Sequence, residues 1–559
     1  MLRAVSPHLS ALMLLCVIAM PLKAAESVET HLQQLLQAGA AGELPATDRL
    51  DWSVLQSLYE RSGGQLLWSN MRGEAKTVMQ RELEHWIRVS LQHGLDPSDY
   101  QYSRLQQPFS AGSAMSPEPV LNDLLLSDSF MRLARDLAGV TPSAEEHDRL
   151  WRFQPRTLDA ADLLLQASAA EEVGATLQAL LPRSAEYQRL VEHYTQLLQR
   201  TDRETWVALD LSMNGLLRTG ASHSVVVGVR ELLIRKELLN SAESSFEPQE
   251  VYTPLVVDAV RAFQQQQGLE PDGILGPATR AALQRSPEQQ LQQVRVNLQR
   301  WRWLPRDLGE RYLLVRTGTY SMTLVEQDRA VQQYRIISGR PHRPTLSFES
   351  DVDHLIMHPP WTVPFRLAVE DLLPKQRKDP DYFARQQIEV LQKVDGSWQP
   401  VDPEGIDWAS LSRRNFPYLL RQRPGPLNSL GRIRFGMSNP YSIYLHDTPQ
   451  QTLFESTERA FSSGCIRVDE IEDLAQRLLG ERSLEQALNT SRTHTLRLER
   501  PLPVYLVYLT VWVDEQQQGH YHPDVYGLDW QLQQALGPLP EVPDPKTEQG
   551  ALAQTVLKE

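Results

Sequence analysis

One short segment contains several side chains that could carry out chemistry together. Ser463-Gly464-Cys465-Ile466-Arg467 places a thiol two residues before a cation, and His446 lies nineteen residues before Cys465. A thiol attacks as its thiolate, and a neighbouring imidazole can take the thiol proton and return it later. We therefore predict that Cys465 is a nucleophile, that His446 is its general base and acid, and that Arg467 favours the anionic sulfur.

The residues before the thiol would let a substrate approach the backbone. Gly464 has no side chain, and the N–H groups around Gly464 and Cys465 could stabilise a tetrahedral oxyanion. We expect Ser463 to play a supporting role. Each residue also has an ordinary explanation, since a lone cysteine is usually a small buried hydrophobe and Ser-Ser-Gly is a common turn. The combination favours a catalytic thiol.

Strand periodicity positions these side chains. In YSIYLHDTPQ, Ser442, Tyr444 and His446 fall on one face, whereas Ile443 and Leu445 fall on the other. If residues 465–468 are extended, Cys465 and Arg467 share a face while Ile466 and Val468 pack inward. A helix is predicted next, with a capping box formed by Asp469 and Glu472.

Composition limits the class of protein. The chain has 559 residues, 41% of them hydrophobic and 23% charged, a formal net charge of −14 and two cysteines. These values indicate a soluble protein of two to four domains. They exclude a disulfide scaffold and a four-cysteine zinc site, and the net charge argues against nucleic-acid binding. We predict no metal and no cofactor.

The N-terminus resembles an export signal. Residues 1–25 combine Arg3, an apolar run of about a dozen residues and the small pair Ala24-Ala25, which predicts a cleaved signal peptide and a periplasmic protein. An uncleaved membrane anchor is the alternative. Cleavage would remove Cys16 and leave Cys465 as the single thiol of the mature chain.

Four further units follow along the chain, and together they predict a multidomain α+β protein. Three- and four-residue apolar spacing predicts a helical scaffold over 26–239. After a polar linker at 240–253, residues 254–284 form a small unit of two helices. Residues 291–535 are rich in short strands, and their charged segment 366–428 is predicted to be an inserted lid. The proline-rich tail 536–559 is predicted to be disordered.

Two of these units resemble known families. The unit at 254–284, with Ala-Val-x-x-Phe-Gln, Asp-Gly and Gly-x-x-Thr, resembles peptidoglycan-binding domain 1. The pattern HDTP…LF…R…SSGCIRV resembles the YkuD-type L,D-transpeptidase catalytic domain, in its YcbB-like subgroup. Further matches are the HPPWTVP and PGPLNSLG runs in the β-rich domain, and LYERSGGQLLW and HGLDPSDY in the helical scaffold.

The resemblance implies a reaction on peptidoglycan. Cys465 would attack the carbonyl on the L-centre of diaminopimelate in a tetrapeptide stem, expel D-alanine and form a thioester. The side-chain amine of a second stem would resolve the thioester into a diaminopimelate–diaminopimelate cross-link. Arg467 would hold a substrate carboxylate or the oxyanion region. Stem peptides and glycan strands are the implied partners, with other cell-wall synthases as possible ones, and carbapenems are the expected inhibitors.

Other functions remain open at this point. The thioester could be resolved by water, as in a thiol-dependent L,D-carboxypeptidase, by a free D-amino acid or by a lipoprotein lysine. The chain could also be a non-catalytic peptidoglycan-binding scaffold. Papain-like and NlpC-type peptidases place the cysteine before the histidine, unlike this chain. A zinc hydrolase would need more than the cluster His520, His522 and Asp524, which is predicted to be a loop.

Overall fold

A computed structural model describes most of the chain. The described residues are 28–42, 50–69, 76–105, 118–200, 209–480, 482, 484–490 and 492–541. The architecture is α+β, with a helical N-terminal part followed by a β-rich part. The predicted signal peptide and Cys16 lie outside the described residues. Within the described ranges, no helix combines the length and the apolarity needed to cross a bilayer.

The N-terminal domain is helical, as predicted. Asp51 caps its second helix by accepting the N–H of Val54 at 3.2 Å, and the same helix buries Leu55, Leu58 and Tyr59. This apolar spacing is the signature of a helix with one buried face. The helices are α1 (28–40), α2 (Trp52–Arg61), α3 (Thr77–Val89), α4 (Tyr102–Leu105), α5 (Glu118–Leu137), α6 (Ala144–His147), α7 (Ala160–Ala170), α8 (Val173–Gln178) and α9 (Ala185–Gln199).

The small helical module is larger than its sequence pattern suggests. Its helices are α10 (Val225–Arg235), α11 (Ser241–Ser245), α12 (Pro254–Gln266) and α13 (Pro277–Leu283). One core joins Leu211 and Leu217 to Val260 and Phe263. The boundary predicted at 239 is therefore wrong, because residues 209–239 pack with this module and not with the scaffold.

The segment predicted as a linker belongs to the same module. Arg230 is only 2% exposed and forms an ion pair with Glu247 at 3.1 Å. It also donates to the Ser244 hydroxyl at 2.8 Å and to the Thr253 hydroxyl at 3.2 Å. A buried guanidinium requires such partners, and they fix residues 244–253 in place. At the far end of the module, the Thr457 hydroxyl of the β-rich domain donates to Glu270 at 2.5 Å.

A buried helix connects the parts of the molecule. Helix α14 (Pro287–Trp303) begins with a capping box of Ser286 and Gln289, and almost all of its side chains are buried. Its Arg300 pairs with Asp529 at 2.5 Å. Its Arg295 donates to the carbonyl oxygens of residues 536, 537 and 538. The β-rich region therefore starts at 311 instead of 291, and residues 536–541 are not the start of a disordered tail. Residues 542–559 lie outside the description.

The β-rich domain is built on a closed sheet. The strands are β1 (Arg311–Arg316), β2 (Ser321–Glu326), β3 (Arg329–Gly339), β4 (Phe348–Met357), β5 (Trp361–Thr362), β6 (Ile388–Val394), β7 (Ser397–Pro400), β8 (Tyr418–Gln422), β9 (Ile433–Met437), β10 (Leu445–His446), β11 (Ala460–Ser462), β12 (Ile466–Val468), β13 (His494–Val507), β14 (Val511–Val513) and β15 (Gly519–Tyr521). The main sheet has the order β11-β3-β12-β10-β9-β4-β13-β1-β2, and the pairing of β2 with β3 closes it.

Both faces of the central strands are buried. Leu313 and Val315 of β1 point into the interior of the closed sheet. Tyr312 and Leu314, on the other face of β1, pack in the core that includes the helical domain. This explains why the four central residues of β1, Tyr312 to Val315, are all apolar or aromatic. Helices α18 (Ile471–Leu479), α19 (Leu484–Leu488) and α20 (Asp529–Leu536) follow within and after the sheet.

The predicted lid is a folded subdomain. Strands β5, β8, β6 and β7 form their own sheet in that order. The helices α15 (Phe365–Leu367), α16 (Leu373–Lys378) and α17 (Tyr382–Arg385) lie in the same segment, with a π-helical turn at Ala368–Leu372. A separate core includes Phe383, Val390 and Leu420. The insertion begins at Trp361, because β5 pairs with β8.

Candidate active site

The sheet brings the predicted thiol and imidazole to one face. Strands β10 and β12 are parallel neighbours, with Leu445 opposite Ile466 and His446 opposite Arg467. The alternation therefore places Cys465, Arg467 and His446 on the same side. Leu445 and Ile466 face the interior core, as the sequence predicts. Cys465 and His446 both line one cleft of about 630 Å³.

The imidazole of His446 has a defined tautomer. Its Nδ1 lies 2.5 Å from the carbonyl oxygen of Asp447. A carbonyl oxygen can only accept, so Nδ1 carries the hydrogen and Nε2 has the free lone pair. The ring is 5% exposed, and burial, reinforced by the charges of Arg467 and Arg434, lowers the pKa of His446 to about 3. The resting imidazole is neutral and is oriented to act as a base at Nε2.

The turn that supplies this carbonyl is held by the Asp447 side chain. Its Oδ1 accepts the N–H of Thr448 at 2.7 Å and the amide of Gln451 at 3.1 Å. Gly431 approaches the carboxylate so closely that an added Cβ would lie 2.2 Å from Oδ2. Gly431 also has a φ of +61°, which favours glycine. The sequence alone does not identify this orienting group of His446.

The thiol of Cys465 is neutral at rest. The residue is half-buried, and its Sγ lies 3.5 Å from the carbonyl oxygen of Ser442. Burial raises the pKa of Cys465, while the backbone of Tyr444 and the charges of Arg434 and Arg467 oppose that rise only in part. The expectation that the surroundings favour a resting thiolate is therefore not met.

The helix predicted after the thiol has a different N-terminus. Helix α18 starts at Ile471, and its N-cap is Glu470 with a φ of +50° and no side-chain cap. Asp469 instead forms an ion pair with Arg335 at 2.6 Å. The predicted capping box is wrong, because Asp469 has a cross-strand cation as its partner.

The backbone donor predicted at Gly464 is already used. The Gly464 N–H donates to the hydroxyl of Ser462 at 3.0 Å, and its carbonyl accepts from Thr345 at 2.9 Å. The φ of Gly464 is +120°, a conformation that side chains rarely adopt. The Cys465 N–H makes no hydrogen bond to any described residue. Of these two N–H groups, the one at Cys465 is the available donor.

Arg467 and Ser463 face different neighbours. The Arg467 guanidinium donates to the Gln450 side chain at 3.0 Å and lines the cleft. It has no carboxylate partner among the described residues. Ser463 is exposed, and its hydroxyl accepts from Arg343 at 3.2 Å. Ser463 therefore contacts the segment between β3 and β4 that carries Arg343.

Arg343 joins the thiol loop to the inserted subdomain, and no sequence pattern pointed to this residue. Its side chain is 9% exposed. It pairs with Asp371 at 2.6 Å and with Glu370 at 2.9 Å, both on the π-helical turn. The cleft lies between this subdomain and the thiol, and Arg340, Arg366 and Lys375 add positive charge to its lining. The cleft is therefore suited to an anionic substrate.

Of the histidines after the thiol, His494 and His520 have other hydrogen-bond partners, whereas the Nδ1 of His522 is buried with no partner among the described residues. His520 pairs with Asp514 at 2.7 Å and stacks on Trp512. In the part of the chain that the structure describes, no three ligating side chains are grouped so that they could hold a metal.

Three parts of the chain match known family models. Residues 310–498 match the family model described as the L,D-transpeptidase catalytic domain (YkuD). Residues 226–283 match the "Putative peptidoglycan binding domain", and residues 53–193 match a "Scaffold domain". The chain therefore carries a YkuD-type L,D-transpeptidase catalytic domain together with a peptidoglycan-binding module.

Two individual proteins are similar to this chain. One is the "Putative L,D-transpeptidase" of Haemophilus influenzae, 35% identical over 246 residues. The match covers 43% of this chain and 49% of that protein, so it spans about half the length of the relative. The other is a crystal structure of the L,D-transpeptidase (residues 123–326) from Xylanimonas cellulosilytica. The two sequences are 14% identical, and the match covers 53% of this chain and 99% of that one. The TM-score is 0.18, which supports no structural argument.

Proposed function

We propose that the protein is a periplasmic peptidoglycan L,D-transpeptidase that forms diaminopimelate–diaminopimelate cross-links through a thioester on Cys465. The observation that carries the proposal is the pairing of β10 with β12. This pairing puts Cys465 and a neutral His446, held at Nδ1 by the Asp447 carbonyl, on one face of a cationic cleft. The catalytic domain and the peptidoglycan-binding module support the substrate class.

Acylation follows from the neutral pair. His446 Nε2 takes the Sγ proton as sulfur bonds to the carbonyl carbon on the L-centre of diaminopimelate. The Cys465 N–H stabilises the resulting oxyanion. The bond to the terminal D-alanine nitrogen then breaks, and the imidazolium returns its proton to that leaving amine. The thioester retains the energy of the cleaved bond.

Transfer reverses the same steps with a different amine. The side-chain amine of a second stem attacks the thioester, its proton passes to His446, and the released sulfur regains a proton. The inserted subdomain forms one wall of the cleft, and this wall would limit attack by water. The peptidoglycan-binding module would hold the glycan strand near the cleft, and its Glu270 accepts a hydrogen bond from Thr457 of the β-rich domain.

Intact-mass measurement after exposure to a carbapenem tests the thioester. We expect an adduct on the wild type, no adduct on Cys465→Ala, and strongly slowed adduct formation on a folded His446→Ala variant. Arg497→Gln, which changes an arginine elsewhere on the sheet, serves as the control and should acylate normally. A folded wild type that forms no adduct would overturn the proposal in favour of a non-catalytic scaffold.

Product analysis tests the reaction itself. Purified tetrapeptide stems should give a diaminopimelate–diaminopimelate dimer and free D-alanine. Release of D-alanine with tripeptide as the sole product would identify an L,D-carboxypeptidase instead.

A further inference from the structure

An arginine absent from the predicted site lies next to the catalytic histidine. Arg434 of β9 is the register partner of His446, which pairs with Arg467 on its other side. Residues directly opposite each other across a sheet point to the same face. Two arginines, on β9 and β12, therefore flank His446.

The guanidinium of Arg434 lies over the ring of Tyr444, a neighbour of Cys465 in the sheet. Its Cζ lies 4.6 Å from the centre of the Tyr444 ring. The register of β10 with β12 places Tyr444 beside Cys465, and the Tyr444 carbonyl accepts the N–H of Ile466 at 3.0 Å. The charge of Arg434 acts on both catalytic side chains, lowering the pKa of His446 and opposing the rise in that of Cys465.

Arg434 has no anionic partner within the described residues. It forms no ion pair and no hydrogen bond there, and its Nε is buried without a partner. Arg343, by contrast, is neutralised by two carboxylates. A half-buried cation held only by an aromatic face retains unused hydrogen-bonding capacity, which is costly unless a ligand uses it. This arrangement fits an anion that arrives with the substrate.

The proposed reaction involves two amines, one leaving and one attacking, and both have the same group next to the reacting nitrogen. The leaving D-alanine and the D-centre of an incoming diaminopimelate each carry a carboxylate on the carbon that bears the reacting nitrogen. By microscopic reversibility, the leaving amine and the attacking amine occupy the same position beside the thioester. One cation beside Cys465 can therefore serve both half-reactions.

We infer that Arg434 binds the α-carboxylate of the amine partner, that is, of the departing D-alanine and of the acceptor D-centre. The inference rests on the proposed function. In acylation Arg434 anchors the terminal carboxylate while the C–N bond breaks and the C–S bond forms. In transfer it anchors the acceptor while the C–N bond forms, the C–S bond breaks, and the amine proton passes through His446 to the sulfur. The guanidinium stays protonated throughout.

Paired substrates isolate this contact from a general electrostatic effect. Transfer from the tetrapeptide thioester is measured to D-methionine and to D-methioninamide, which has no carboxylate. Acylation is measured with the tetrapeptide and with its C-terminal D-alaninamide analogue. Arg434→Gln is compared with the wild type and with Arg497→Gln. Arg497 of β13 is the register partner of His354 on β4, and His354 is in turn the register partner of Gly436 on β9. The control therefore removes an arginine of the same sheet that is separated from β9 by strand β4.

The wild type should prefer the carboxylate substrates, and Arg434→Gln should reduce that preference by about 10- to 100-fold, the range of a charge-assisted hydrogen bond. Arg434→Lys should retain part of the preference, and Arg497→Gln all of it. An equal loss with acid and amide substrates would overturn the inference and make Arg434 a residue that acts on the thiol. An unchanged preference would also overturn it. A wild type that the tetrapeptide does not acylate would overturn the proposed function, and the inference with it.

Discussion

Acidification from pH 7 to pH 5 should leave the acylation rate almost unchanged. The pKa of His446 is lowered to about 3, so at pH 5 about 99% of the imidazole is still the neutral base. A histidine with its ordinary pKa near 6.5 would be only about 3% neutral at pH 5, and the rate would fall roughly 25-fold. Base function should be lost only as the pH approaches 3.

The thiol provides the second half of this prediction. Burial raises the pKa of Cys465 above its ordinary value, so at pH 7 less of the sulfur is thiolate than in a free cysteine. A preformed thiolate–imidazolium pair would give the same flat rate profile but a thiolate already present at pH 5. The protonation state of the sulfur at pH 5 therefore distinguishes the two states, whereas the acylation rate does not.

Two measurements check the prediction together. Acylation by a carbapenem is followed by stopped-flow absorbance from pH 4.5 to 8, and thiolate is titrated by its absorbance near 240 nm against Cys465→Ala. We expect a flat rate and no thiolate signal until the pH exceeds the ordinary thiol range. An acid limb with a midpoint near 6.5, or a thiolate signal at pH 5, would refute the neutral pair.

Three substitutions test other parts of the structure. Gly431→Ala should slow acylation at least about 10-fold, because its Cβ would meet the Asp447 carboxylate. Gly396→Ala, with a φ of +84° and no atom within 4 Å, should cost only about 1–2 kcal/mol of stability, and equal acylation by the two variants would contradict this account. Arg343→Met should loosen the inserted subdomain, seen as roughly tenfold faster hydrogen exchange over residues 365–385; unchanged exchange would show that the Arg343 pairs do not hold it. Arg230→Met should lower the free energy of unfolding by about 3–5 kcal/mol in urea titration, since it leaves Glu247 without its buried partner, yet acylation should persist. A loss below 1 kcal/mol would mean that segment 240–253 is held by other contacts.

The sequence could predict the features that depend on local periodicity. The two-residue alternation around His446 and Cys465 assigns their faces, because neighbouring strands preserve it. The three- and four-residue apolar spacing of the helical scaffold is equally local. These features survive in the structure because each depends on residues only a few positions apart.

Other features depend on contacts that no local pattern contains. Helix α14 is buried on almost all sides. Its many Gln and Arg residues would instead suggest a solvent-exposed helix if only the sequence were considered. Arg230 places residues 244–253 in the module through contacts 14 to 23 residues away. Arg434 enters the site only through the pairing of β9 with β10. The sequence could not show that the Gly464 N–H is unavailable to an oxyanion. Its hydrogen bond to the Ser462 hydroxyl forms only because of the exact shape of the turn.

The group that orients His446 belongs to the main chain, and this limits what genetics can detect. A Ser-His-Asp enzyme can lose its third member through a codon change. Here, any amino acid at position 447 still supplies a main-chain carbonyl oxygen, unless the substitution rearranges the turn. A scan of single substitutions would therefore report two essential side chains, and it would detect the third participant only indirectly. Loss of function through that carbonyl should appear at residues that shape its turn, namely the Asp447 side chain and Gly431, which is remote in sequence and chemically inert.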